Sequence, residues 1–164
     1  RGFAADVIAP SAIPCPVPVP GPDGTPQSCP EPRALAADQI PALLDEYAAA
    51  ARNAIAAGMD GVELHCASGY LVNQFLNPAS NQREDDYGGS PENRIRFPVA
   101  VLRALADAIG PGRVGLRISP GNPYNGMDPS DPEATFVPFL KAAAPLGLAY
   151  CHVVDMGLAD VDTL

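Results

Sequence analysis

Three times in succession, a stretch with helical apolar spacing is followed by a short aliphatic run. Ile40, Leu43, Leu44, Tyr47, Ala51, Ala54 and Ile55 form one apolar stripe, which predicts a helix over 37–57 closed by Gly58. Pro41 is tolerated because it falls in the first turn, but no hydroxyl residue stands at Ala36 or Ala37 to cap that start. The start is therefore expected to fray. A strand over 62–65 follows, and then a long loop. Ser90 and Pro91 read as the cap and first residue of a second helix that reaches Ile109. Its inward side is predicted to carry Ile95, Val99, Leu102, Leu105 and Ile109, with Pro98 kinking or dividing it. The next strand covers 114–118. A third helix, 132–144, is expected to break at Pro138, and a last strand covers 150–154. Helix and strand in this alternation predict an α/β chain with parallel strands under covering helices. No Gly-x-Gly-x-x-Gly follows any strand, which argues against a dinucleotide-binding doubly wound sheet.

The first segment, 1–33, differs in character from the second, 34–164. Pro14, Pro16, Pro18, Pro20 and Pro22 alternate with other residues, and Asp23-Gly24 follows. Proline fixes φ and removes a backbone donor, so an extended, polyproline-like surface loop is expected there. The 164-residue chain begins at Arg1 and stops at Leu164, soon after a predicted strand, which reads as part of a longer protein.

Composition excludes several classes of function. With a formal net charge of -9 and a single lysine, Lys141, the chain has no basic patch for nucleic acid. No apolar run approaches the ~18 residues of a membrane span, and no export signal opens the chain. Cys15, Cys29, Cys66 and Cys151 form no Cys-x-x-Cys pair and match no common zinc spacing, so reduced thiols in a cytoplasmic setting are expected. His152 and Cys151 could be joined to His65 and Cys66 as a metal site. Adjacent strand residues point to opposite faces, however, so each pair offers one inward ligand at most, and no metal is expected.

The chemistry concentrates where the strand over 62–65 gives way to a loop. His65, Ser68 and Tyr70 lie within six positions there. Two hydrogen-bond donors with a phenol just beyond can polarise a carbonyl and deliver a proton. The plainer alternatives are a structural histidine, a loop serine and an aromatic pinned in the loop. Arg117 stands near the end of the next strand, where an arginine seldom has a bland role, since burying an unpaired guanidinium is costly. Asp85, Asp86, Arg83, Arg94 and Arg96 are expected to make loop-fixing salt bridges.

The blocks Gly61-Val62-Glu63-Leu64-His65, Gly69-Tyr70-Leu71, Asn73-Gln74-Phe75-Leu76, Asp86-Tyr87-Gly88-Gly89, Glu92-Asn93-Arg94 with Arg96-Phe97, and Arg113-Val114-Gly115-Leu116-Arg117-Ile118-Ser119-Pro120 stand in one order. They resemble the old yellow enzyme family of FMN-dependent ene-reductases, and weaker similarity extends over most of the chain. The resemblance implies a partial (β/α)8 TIM barrel in which the three strands are the fourth, fifth and sixth. A complete barrel takes ~250 residues and places its site at the carboxyl ends of its strands. His65 and Arg117 stand at such ends, and His152 lies on the last strand. The resemblance further implies FMN as cofactor, NAD(P)H as reductant and an α,β-unsaturated carbonyl as substrate. His65 and Ser68 would hold the substrate oxygen, Tyr70 would donate the proton, and Arg117 would lie beside the flavin pyrimidine ring. Ser68 departs from the pattern, which has asparagine or histidine there. The flavin phosphate site would come from the last two strand loops, which this chain lacks. Open sheet edges and an apolar barrel-facing side are expected to favour association of copies into a homo-oligomer. Two competing readings are an inactive partial barrel serving as an interaction module and a flavin-free barrel lyase or aldolase. A Schiff-base mechanism is disfavoured because Lys141 falls on a predicted helix.

Overall fold

The structure, a computed structural model, describes residues 6–155; residues 1–5 and 156–164, the two chain ends, lie outside it. In chain order the strands are β1 (Ile8–Ala9), β2 (Val19–Pro20), β3 (Pro26–Gln27), β4 (Arg33–Ala34), β5 (Val62–Cys66), β6 (Val114–Ile118) and β7 (Tyr150–Val153). The α-helices are α1 (Ile40–Ala56), α2 (Leu71–Leu76), α3 (Pro91–Arg94), α4 (Arg96–Ile109) and α5 (Pro132–Ala143). Strands β5, β6 and β7 form a three-stranded parallel sheet in that order, as the alternation predicts.

Side chains alternate across a strand, so the sheet has two distinct faces. Leu64, Cys66, Val114, Leu116 and Ile118 are buried on one of them. Helices cover that face: α4 brings Phe97, Val101, Leu102 and Leu105, α1 brings Ile40 and Ala51, and α5 brings Phe139. Burying each large side chain of this kind contributes roughly 1.5–3 kcal/mol. The buried side of α4 is therefore centred on Phe97, Val101, Leu102 and Leu105, while Ile95, Val99 and Ile109 are only half-buried.

The opposite face, which would line a barrel, carries Glu63, His65, Arg117, Tyr150 and His152. The expected apolar barrel-facing side is thus corrected to a polar one. The two-residue period that buries Leu64 and Leu116 necessarily turns the charged residues between them the other way.

Several local expectations are also revised. Segment 71–76, read as loop, is the helix α2. Its apolar residues Val72, Phe75 and Leu76 follow a helical interval, and the Phe75 ring sits 4.1 Å from that of Phe97. The helix over 91–109 is divided at Ile95. Pro98 has no N–H for the Arg94 carbonyl four residues back, so the helical ladder is interrupted there. Pro138, by contrast, does not break α5. Buried Phe136 and Phe139 pin the turns on either side of it. The uncapped start of α1 is replaced by a 3-10 turn over Ala37–Gln39, where the Gln39 Oε1 accepts the Ala36 N–H at 3.2 Å.

The proline-rich segment is more structured than a polyproline loop. Strands β2 and β3 pair antiparallel as a hairpin, turned at Asp23-Gly24 with Gly24 at φ +81°. The Asp23 Oδ1 accepts from the backbone N–H and the hydroxyl of Thr25. Strand β1 pairs parallel with β4, so the segment leaves the body and returns beside its own start.

Candidate active site

Parallel register sets the geometry. His65, Arg117 and His152 lie directly across from one another on β5, β6 and β7, on the polar face. Three strand-borne side chains are thereby brought into one row near the carboxyl ends of their strands. Ser68 and Tyr70 stand on the turn that leaves β5. The Tyr70 ring packs against His65 with centroids 5.1 Å apart and planes tilted by 51°.

The turn holding Ser68 is built, not slack. Ser68 adopts φ +55°, a left-handed conformation uncommon for a residue with a Cβ. Its N–H donates to the Ser119 Oγ at 2.8 Å, and its carbonyl accepts from the Asn125 Nδ2 at 2.7 Å. The next N–H, of Gly69, donates to the Asn73 Oδ1 at 2.9 Å. Gly69 has φ +71°, and a Cβ there would lie 2.6 Å from the Cβ of Asn125. These contacts leave glycine as the residue that fits. Asn73, Ser119 and Asn125 are all buried. They were not picked out from the sequence; the one local sign was a polar Asn73 inside the apolar run of α2.

The surroundings on the polar face favour the neutral form of His65. Desolvation and the neighbouring Arg117 guanidinium lower its pKa, against a smaller opposing effect of Glu63. A neutral imidazole donates through one ring nitrogen, which suits it to hold a carbonyl oxygen. The Arg117 Nη1 lies 3.5 Å from the His152 Nδ1. Its Nε is buried with no hydrogen-bond partner among the described residues. An unpaired buried donor costs ~1–3 kcal/mol, so this face is suited to a ligand with an acceptor at that point.

The charged loop behaves partly as expected. Arg83 pairs with Asp85 and also donates to the Pro10 and Leu35 carbonyls, tying the loop to the proline-rich segment. Arg94 instead turns inward and donates to the Leu76 and Gly89 carbonyls. The possible metal set is divided by strand geometry: His65 and His152 lie on the polar face, while Cys66, in the row of Ile118 and Val153, and Cys151, in the row of Leu64 and Leu116, lie on the other.

Residues 7–157 match the NADH:flavin oxidoreductase / NADH oxidase family. The chain belongs to this family. A probable flavin mononucleotide-dependent alkene reductase of Leishmania infantum is 58% identical over 112 residues, covering 68% of this chain and 31% of that protein. The 12-oxophytodienoate reductase 2 of Arabidopsis thaliana is 43% identical over 124 residues, covering 76% of this chain and 33% of that protein. Among solved structures, the old yellow enzyme homologue from Zymomonas mobilis superposes with a TM-score of 0.87 at 40% identity, over 90% of this chain and 41% of that one. Morphinone reductase in complex with tetrahydroNAD gives 0.83 at 41% identity, over 90% and 42%. The chain is thus an α/β part of an old yellow enzyme-type barrel and spans about a third to two fifths of these relatives.

Proposed function

We propose that this chain supplies the fourth, fifth and sixth strands of an FMN-dependent ene-reductase that uses NAD(P)H to reduce the C=C bond of α,β-unsaturated carbonyl compounds. One observation carries the reading: His65 and Arg117 share a register row, with Ser68 and Tyr70 on the turn leaving the same strand as His65. The unpartnered Arg117 Nε fits a flavin, whose pyrimidine ring offers acceptor atoms. A permanent cation there favours the anionic reduced ring. Bound FMN supplies the hydride carrier between the nicotinamide and the alkene carbon.

The chain's own residues do the rest. Neutral His65 donates to the substrate carbonyl oxygen, and the Ser68 hydroxyl adds a second donor. Both act most strongly as negative charge builds on that oxygen, which lowers the barrier rather than only tightening binding. The Tyr70 phenol stands beside His65 and protonates the carbon next to the carbonyl.

The test is spectroscopic. A barrel-length protein carrying this chain should purify with a flavin absorption band that NAD(P)H bleaches without oxygen and that an enone then restores. A colourless protein, or a band that enones fail to restore, would overturn the proposal.

Ser68 provides a finer test of the oxyanion pocket. Asparagine tolerates the left-handed conformation better than serine does and reaches further with its amide donor. Ser68→Asn is therefore expected to tighten binding of an enolate-mimicking phenol by about tenfold, the scale of one charge-assisted hydrogen bond. Titration of the flavin charge-transfer band measures it. Unchanged or weaker binding would mean that position 68 does not face the substrate oxygen.

A further inference from the structure

A second polar row lies one pleat before the His65–Arg117–His152 row on the same face. In it, Glu63 stands across from Gly115, and Gly115 across from Tyr150. The missing side chain at Gly115 is used. A Cβ there would lie 2.3 Å from the Tyr150 Cζ and 2.6 Å from its hydroxyl oxygen. The Tyr150 ring therefore lies across the backbone of β6, pointing at β5. Partial desolvation, a hydrogen bond to the Glu63 carboxylate and the charge of that carboxylate all raise the Tyr150 pKa, which keeps it a donor. Glu63 then reaches up to the other row, with its Oε2 3.3 Å from the His152 Nδ1.

The same Nδ1 lies 3.5 Å from the Arg117 Nη1. One ring nitrogen cannot donate to a carboxylate and accept from a guanidinium at once. A carboxylate accepts only, so contact with Glu63 requires a proton on Nδ1. That proton closes Nδ1 to Arg117. With Glu63 gone, Nδ1 is free to lose the proton and accept from Arg117, drawing the guanidinium down onto His152.

We propose that Glu63 is a positioning residue for Arg117: by holding the Nδ1 proton of His152, it leaves the Arg117 guanidinium uncommitted and available to the flavin, and Tyr150, seated over Gly115, holds Glu63 in place. The part concerning the flavin rests on the proposed function, whereas the His152 tautomer does not.

The experiment uses a barrel-length holoenzyme with 15N-labelled histidine. In the unsubstituted protein, the His152 Nδ1 signal should lie in the protonated range. Glu63→Leu should move it to the unprotonated range and raise the FMN dissociation constant by about tenfold, the scale of one charged hydrogen bond. Glu63→Gln keeps an acceptor oxygen and should retain both values. Tyr150→Phe should shift both in the direction of Glu63→Leu by a smaller amount, and stands in for that variant if it does not fold. A weaker flavin affinity with an unmoved Nδ1 signal would mean a merely structural Glu63 and would overturn the proposal. An unmoved signal with unchanged affinity would overturn it equally. Absence of flavin from the unsubstituted protein would instead strike the proposed function, and the tautomer readout would still decide the role of Glu63.

Discussion

Replacing Tyr70 with phenylalanine is expected to slow alkene reduction by about 10²–10⁴-fold, the usual contribution of a positioned general acid. Reduction of the flavin by NAD(P)H should keep its rate, because that half-reaction takes no proton from this residue. The substitution removes only the phenol oxygen. Tyr70 is 39% exposed and makes its ring contact with His65 at 5.1 Å, which phenylalanine preserves. The two backbone hydrogen bonds of Tyr70, from its own N–H to the Ala67 carbonyl and from the Gln74 N–H to its carbonyl, do not involve the phenol. Loss of the hydroxyl alone is therefore tested. Stopped-flow absorbance separates the two half-reactions. Equal slowing of both would remove Tyr70 as proton donor and point to a distorted site.

The legible part of this fold was the part written in periodicity. Strand β5 alternates buried and exposed residues, β6 and β7 are short runs rich in apolar residues, and α1 and α4 carry apolar stripes, so their places followed from spacing. Helix α2 was hidden because six residues give too few repeats, although Val72, Phe75 and Leu76 already had the interval. The hairpin of β2 and β3 was masked by proline, yet Asp23-Gly24 is a turn signal that survives proline-rich surroundings. In the site, His65, Ser68, Tyr70 and Arg117 could be singled out because strand ends and residue types are visible locally. Ser119 and Asn125 could not, since they reach Ser68 across 51 and 57 residues of chain. The polar face was legible in principle. Glu63 and His65 flank Leu64 on one strand, and buried Leu64 fixes where they point. It was misjudged because barrel interiors are commonly filled with branched apolar residues.

Produced alone, the 164-residue chain is expected to hold no FMN and to elute larger than its monomer mass of 17.0 kDa. The polar face is not the cause, since Glu63, His65 and His152 are exposed to water. The edges are. Among the described residues, strands β5 and β7 each have a partner on one side only, leaving a row of backbone donors and acceptors open. Every residue of β7 is exposed, including Tyr150 at 51% and Val153 at 45%. Beside the free edge of β5 lies a cavity of about 1090 Å³, lined by Val62, Leu64, Val72, Ile8, Ile13 and Leu105 among others. Apolar surface of this kind next to an unpaired strand favours pairing with another copy. Flavin retention fails for a separate reason. In the proposed function Arg117 would offer one cation to the ring, whereas barrels of this type seat phosphate in the loops after their seventh and eighth strands. Charge-assisted hydrogen bonds to a phosphate are the strong ones, and their loss removes much of the cofactor's affinity. Gel filtration with an in-line absorbance scan measures both outcomes together. A yellow, monodisperse species of monomer mass would refute the prediction and would require that three strands build a complete flavin site.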